Sequence, residues 1–94
     1  MKAGKLAYGA DMCLEKIKFK KAKILIIAED TSQNTKDKIS KACEENNIKL
    51  FEFGLKDEIS YAIGKQNKTV IAILDNNFAK KIEKLIIELK GAIS

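Results

Sequence analysis

The chain has 94 residues, enough for one domain with a modest core and too few for a multidomain enzyme. Hydrophobic residues at 46% and charged residues at 33% describe a folded soluble protein, not a disordered or membrane-spanning one. All 18 basic residues are lysine against 13 acids, and the net charge of +5 is confined to residues 1–23, where seven lysines face only Asp11 and Glu15. Such an excess fits a polyanionic partner or a solvated edge equally well.

In chain order, Leu6 to Tyr8 predicts a short strand, and Gly9 then enters a helix over 10–18 with a Cys13, Leu14 and Ile17 stripe. Residues 24–28, Ile-Leu-Ile-Ile-Ala, form a continuous β-branched run, the pattern of a strand covered on both faces. Ile39, Ala42 and Cys43 mark a helix over 33–46, and Leu50, Phe51 and Phe53 a strand after Asn46 and Asn47. A shorter helix is expected from Asp57 to Ile63, ending at Gly64. Residues 70–74, Val-Ile-Ala-Ile-Leu, repeat the buried-strand pattern. The last helix should turn Phe78, Ile82, Leu85, Ile86 and Leu89 inward, with Asp75 or Asn76 as its N-cap. Strands alternating with helices predict a single 1–94 domain, a three-layer α/β/α sandwich around a small mixed sheet of about four strands.

Chemistry is sparsely provided. No apolar run reaches the roughly 18 residues of a membrane span and no signal-peptide core is evident, so a cytoplasmic protein is expected. The chain contains no histidine, which removes the usual general base and the usual partner of a Ser or Cys nucleophile. Cys13 and Cys43, thirty positions apart, make neither a CxxC pair nor a zinc set and should be buried free thiols. Gly4, Gly9, Gly54, Gly64 and Gly91 are isolated, so no phosphate loop can be written and no nucleotide cofactor is expected. Glu29, Asp30 and Asp75 follow the two buried strands. They resemble the acidic cluster of response-regulator receivers, although helix capping is the favoured role. Binding is the class that remains. At Gly9 a strand enters a helix and presents backbone N–H groups, and lysines lie nearby in sequence.

The order Ala3-Gly4-Lys5-Leu6, Gly9 and Ala22-Lys23-Ile24-Leu25-Ile26-Ile27-Ala28-Glu29-Asp30 resembles the L7Ae and L30e superfamily of kink-turn RNA-binding ribosomal proteins. Asn34-Thr35, Glu58-Ile59 with Ala62-Ile63-Gly64, and Val70 to Asp75 with Phe78-Ala79-Lys80 extend the likeness over nearly the whole chain, most closely to a small bacterial, YlxQ-like branch. The resemblance implies an α/β/α sandwich that binds structured, kink-turn-like RNA through the turn at Gly9 and the loop after Gly64. Where the family turn reads Gly-x-Asn-Glu, this chain has Gly9, Ala10, Asp11 and Met12. Asp11 accepts hydrogen bonds from guanine N–H groups but does not donate as asparagine does, and Met12 offers neither charge nor a strong hydrogen bond.

A non-enzymatic RNA-binding protein of ribosomal type is therefore expected. Lys5, Gly9, Asp11, Met12, Lys65 and Lys68 should line the RNA surface, with Lys16 and Lys20 as electrostatic support. The expected partner is structured, ribosomal RNA, not DNA or membrane, with no cofactor or metal and a monomer as the simplest state. The rival class is a protein-interaction module on the same fold, with a receiver-like enzyme a distant third.

Overall fold

The two continuous apolar runs become the inner strands of a four-stranded sheet. The computed structural model describes residues 5–57, 60 and 68–91. In chain order it contains β1 (Leu6–Tyr8), α1 (Ala10–Lys18), β2 (Ile24–Ile27), α2 (Gln33–Glu45), β3 (Lys49–Glu52), β4 (Val70–Ile73) and α3 (Asn76–Gly91). The expected helix from Asp57 to Ile63 and the Gly64 and Lys65 loop fall largely outside the described residues.

Strand order is β1-β4-β2-β3. β2 and β3 are parallel, with Ile24 opposite Lys49 and Ile27 opposite Glu52. β4 runs antiparallel to both of its neighbours, pairing Ile73 with Leu6 on one side and with Ile24 on the other. The sheet is thus mixed. Every residue of β2 and β4 is buried, whereas β3, on the edge, exposes Lys49 and Glu52. That contrast explains why the inner strands read as unbroken apolar runs and the edge strand keeps charged residues at both ends.

Alternation along the strands sends side chains into two separate cores. Leu25, Ile27, Val70 and Ala72 meet Cys13 and Ile17 of α1 and Ile39 and Cys43 of α2. Ile24, Ile26, Ile71 and Ile73 meet Ala79 and Ile86 of α3, with Phe51, Phe53, Phe78 and Ile82 packed around them. These are the three expected layers. Leu25 is fully buried, and such a side chain contributes about 1.5–3 kcal/mol by leaving water.

The helix ends carry specific caps. Asp75 accepts the Phe78 N–H through Oδ2 at 2.8 Å and is the N-cap of α3, and Ser32 Oγ accepts the Thr35 N–H at 3.3 Å at the start of α2. Both α1 and α2 close with paired backbone bonds around a left-handed residue. Lys21 N–H reaches Lys16 O and Lys20 N–H reaches Ile17 O. Ile48 N–H reaches Cys43 O and Asn47 N–H reaches Glu44 O. The left-handed residues are Lys20 (φ 58°) and Asn47 (φ 55°), in a position that glycine usually fills.

One expected core residue is not in the core. Leu85 is 53% exposed, as is Ile87 at 54%, while Phe78, Ile82 and Ile86 form the inward row. At 3.6 residues per turn Phe78, Ile82, Ile86 and Ala79 form one stripe facing the sheet, and Leu85 and Ile87 fall on either side of it. The side chain of Leu89 lies outside the described set.

Candidate nucleic-acid interface

The candidate site is built on the step from β1 into α1. Gly9 has φ 89° and ψ 150°, a region that side-chain-bearing L-residues avoid. It is held there by its own N–H donating to Val70 O at 3.0 Å, while its carbonyl accepts the first helical bond, from Cys13 N–H at 3.0 Å. A glycine at this step lets the chain turn from the sheet directly into the helix.

No side chain caps α1. The N–H groups of its first turn, on Ala10, Asp11 and Met12, therefore have no side-chain acceptor among the described residues, and the positive end of the helix dipole faces outward. Asp11 and Met12 are exposed on this turn. Asp11 at this position also offsets the dipole of its own helix, a structural role that coexists with any ligand contact.

Lys68 reaches the turn from the approach to β4, the strand beside β1. Its Nζ lies 3.9 Å from where a Cβ on Gly9 would stand, and among the described residues nothing else approaches within 4 Å. The backbone of Lys68 is anchored by Ser60. The Ser60 Oγ accepts the Lys68 N–H at 2.9 Å and donates to the Lys68 carbonyl at 3.0 Å, in a side chain only 5% exposed. Thr69 O then accepts from Ala28 N–H at 2.8 Å and from Thr31 Oγ1 at 3.5 Å. Asp30 Oδ1 accepts the Lys56 N–H at 2.7 Å, and Lys36 Nζ donates to Glu29 O and Glu52 Oε1. Loops that lie 8 to 38 residues apart in sequence are thereby fixed beside Gly9.

The structure divides the expected site residues between two ends of the sheet. Gly9, Asp11, Met12 and Lys68 converge at the end that carries Val70 and Ile27. Lys5 does not: its carbonyl accepts the Leu74 N–H, which puts it at the opposite end, about 13 Å away along β1. Lys16 and Lys20 lie at the C-terminal end of α1, a helix length of roughly 14 Å from Gly9. Lys65 lies outside the described residues.

The acidic residues are separated by the same topology. Glu29 and Asp30 follow β2, Asp75 follows β4, and these strands are antiparallel, so the acids stand at opposite ends of the sheet and form no cluster. Asp75 caps a helix, in line with the favoured reading, whereas Asp30 ties a loop to the Lys56 backbone. The thiols are equally remote from chemistry. Cys13 and Cys43 are free and buried, and desolvation pushes the first up to about 12 and the second up to about 11. No helix among the described residues is long and apolar enough to cross a membrane.

Sequence reasoning missed Ser60, Thr31 and Phe19. The first two act through contacts distant in sequence and leave no local pattern. Phe19 stands between Lys18 and Lys20, an aromatic inside the lysine run that the sequence itself displays, and it is 64% exposed.

The fold and turn define a class: a small three-layer α/β/α domain with a glycine entrance to a helix, an uncapped helix start and a lysine beside it. The profile of the Ribosomal protein L7Ae/L30e/S12e/Gadd45 family matches residues 1–83, and the chain belongs to that family. It is similar to two curated relatives, each named RNA-binding protein YlxQ. The one from Enterococcus faecium is 42% identical over 92% of this chain and 82% of its own. The one from Bacillus subtilis (strain 168) is 28% identical over 90% and 85%. A solved structure of a protein with unknown function from Bacillus halodurans C superposes with a TM-score of 0.85 at 26% identity, covering 89% of this chain and 85% of that one.

Proposed function

We propose that this chain is a non-catalytic RNA-binding protein of ribosomal type, which recognises structured, kink-turn-like RNA at the Gly9 turn. The observation that carries this reading is the meeting of three anion- and base-seeking features at one point. They are the Gly9 backbone, the uncapped first turn of α1 and the Lys68 ammonium 3.9 Å from the Gly9 Cβ position. The names of both curated relatives support the same partner class.

Phosphate oxygens are suited to the first-turn N–H groups and to Lys68, which supply affinity and register. Asp11, exposed on that turn, is suited to accept hydrogen bonds from guanine N–H groups displayed by sheared purine pairs. With no arginine in the chain, the planar guanidinium fork on guanine is missing from the recognition, so RNA shape outweighs base identity. Lys65 joins the same surface in this reading as a phosphate contact from the loop after Gly64.

The test is titration of the protein with a kink-turn stem and a plain duplex of equal length across a salt series. Preference for the kinked stem, lost in Gly9→Glu and Asp11→Ala, is the expected result. Lys68→Gln should flatten the logarithmic salt dependence by about one phosphate contact, a slope change of roughly 0.9. Equal binding of both RNAs by the wild-type chain, or binding of neither at low salt, overturns the reading.

A further inference from the structure

The lysine excess that opened the sequence lies mostly away from the Gly9 turn. Lys18, Lys20, Lys21 and Lys23 are all exposed and follow one another through the end of α1 and the approach to β2. Lys5 joins them from β1. The Lys23 N–H donates to Ile73 O and the Lys5 carbonyl accepts from Leu74, so the two residues flank β4 at the same end of the sheet, about 10 Å apart. None of the five makes an ion pair among the described residues, where the salt bridges are Lys36 with Glu52 and Lys49 with Glu83.

Helix capping accounts for only part of this. Lys16 and Lys18 occupy the last turn of α1 and suit the negative end of its dipole. Lys20, Lys21 and Lys23 lie past the helix, and the carbonyls of Lys16 and Ile17 are already taken by the backbone bonds that close it. Three costs accumulate at this one place. Like charges crowd together, Lys20 holds a left-handed φ of 58° where glycine is the usual residue, and Phe19, in their midst, is 64% exposed. Beside them a shallow cleft between the two helix ends is lined by Lys20, Lys23, Asn46 and Asn47, with Glu45 the acid on its wall.

A polyanion carrying flat rings answers all three features. We propose that the end of the molecule opposite the Gly9 turn is a second RNA-contact surface, where Lys5, Lys18, Lys20, Lys21 and Lys23 hold the phosphates of an unpaired strand and Phe19 stacks on one of its bases. Lysines on a flexible stem match an irregular single-stranded backbone, and an aromatic face takes any base. Because α1 spans the distance between the two surfaces, one chain would engage two separate RNA segments. The surface stands on its own residues and does not depend on the Gly9 reading.

The experiment measures binding of a fluorescently labelled uridine oligonucleotide, which has no stable fold, beside the kink-turn stem. Phe19→Ser should weaken uridine-strand binding about tenfold and leave stem binding unchanged. The combined substitution Lys20→Gln, Lys21→Gln and Lys23→Gln should flatten the salt dependence for the uridine strand by about two, at roughly 0.7 per phosphate. Gly9→Glu should leave it intact. All three sites of change in the lysine variant and Phe19 are exposed, so circular dichroism should report an unaltered fold. Wild-type affinity in Phe19→Ser, an unchanged salt slope in the lysine variant, loss of strand binding in Gly9→Glu, or no strand binding at all overturns the proposal. Absence of stem preference in the wild-type chain, with strand binding present, counts against the Gly9 reading and not against this one.

Discussion

Replacing Gly9 by alanine isolates the cost of a backbone conformation from that of crowding. Among the described residues an added Cβ would meet only Lys68 Nζ, at 3.9 Å, an ordinary contact with the free end of a flexible chain. Sterics with neighbours therefore contribute almost nothing. The penalty comes from φ 89° and ψ 150°, which L-alanine adopts at a cost of about 1–3 kcal/mol. Alanine also stiffens the unfolded chain, which returns about 0.4–1 kcal/mol, so the net loss should be about 1–2 kcal/mol. For a domain of this size that lowers the melting temperature by roughly 5–15 °C. For D-alanine the same angles mirror to those of an L-residue at the border of the β region, so D-alanine should keep the stiffening, lose most of the strain and be the more stable of the two proteins. Both proteins are accessible by ligating a synthetic segment ending at Met12 to a chain beginning at Cys13. Thermal and urea unfolding of the pair gives the comparison. Equal stability of the two enantiomers, or a loss below about 0.5 kcal/mol for L-alanine, would refute the assignment of the cost to the Gly9 backbone.

Ser60→Ala removes both hydrogen bonds to the Lys68 backbone and leaves its N–H without that partner, so urea titration should show a loss of about 1–3 kcal/mol, with weaker binding of the kinked stem as Lys68 loses its anchor. Lys20→Gly relieves a left-handed residue and should raise stability by about 1 kcal/mol while weakening single-strand binding; Asn47→Gly, where asparagine already tolerates that conformation, should gain less. The buried thiols set an alkaline limit. Their folded values, about 12 and about 11, lie above the ordinary 9.0, so the stability they contribute is fully present below pH 9 and is lost as pH rises toward 11 and 12. Within that window each thiol should cost about 1.4 kcal/mol per pH unit, and Cys13→Ala should show a shallower decline in urea midpoint than the wild-type chain.

Much of the fold could be read from the residues because burial on both faces leaves an unmistakable pattern. Ile24 to Ala28 and Val70 to Leu74 can be inner strands and little else, and the helices between them follow from the apolar spacing of Ile39 and Cys43 or Phe78 and Ile82. Strand direction is another matter. Nothing local in Val70 to Ile73 tells whether it runs with or against Ile24 to Ile27, and that one fact decides where everything attached to the strands goes. It separates Asp75 from Glu29 and Asp30, and the three-residue reach of β1 carries Lys5 away from Gly9. Gly9 itself was legible because a lone glycine between a strand and a helix has few roles. Ser60 was not, since its partner Lys68 lies across a loop whose length alone says nothing about contact. Leu85 failed for a geometric reason, as it stands at the border of the stripe that Phe78, Ile82 and Ile86 turn to the sheet, where apolar spacing alone does not separate inside from outside.

The position of β4 between β1 and β2 bears on how the chain reaches this state. β1 and β2 do not pair with each other, and residues 70–73 supply both the partner of β1 and the second partner of β2. As the chain emerges from synthesis, β2 can pair early with β3 alone, and its other edge, lined by fully buried isoleucines and leucine, has no strand to meet until most of the sequence has been made. The closing step is therefore the insertion of a strand into a gap, not the addition of one to an edge. It joins distant parts of the chain, and this places the main barrier to folding late and favours slower folding than the short helices alone would suggest. Until then an open, apolar strand edge is available to other chains, so arrest or truncation before residue 70 should yield material that aggregates instead of a smaller folded core.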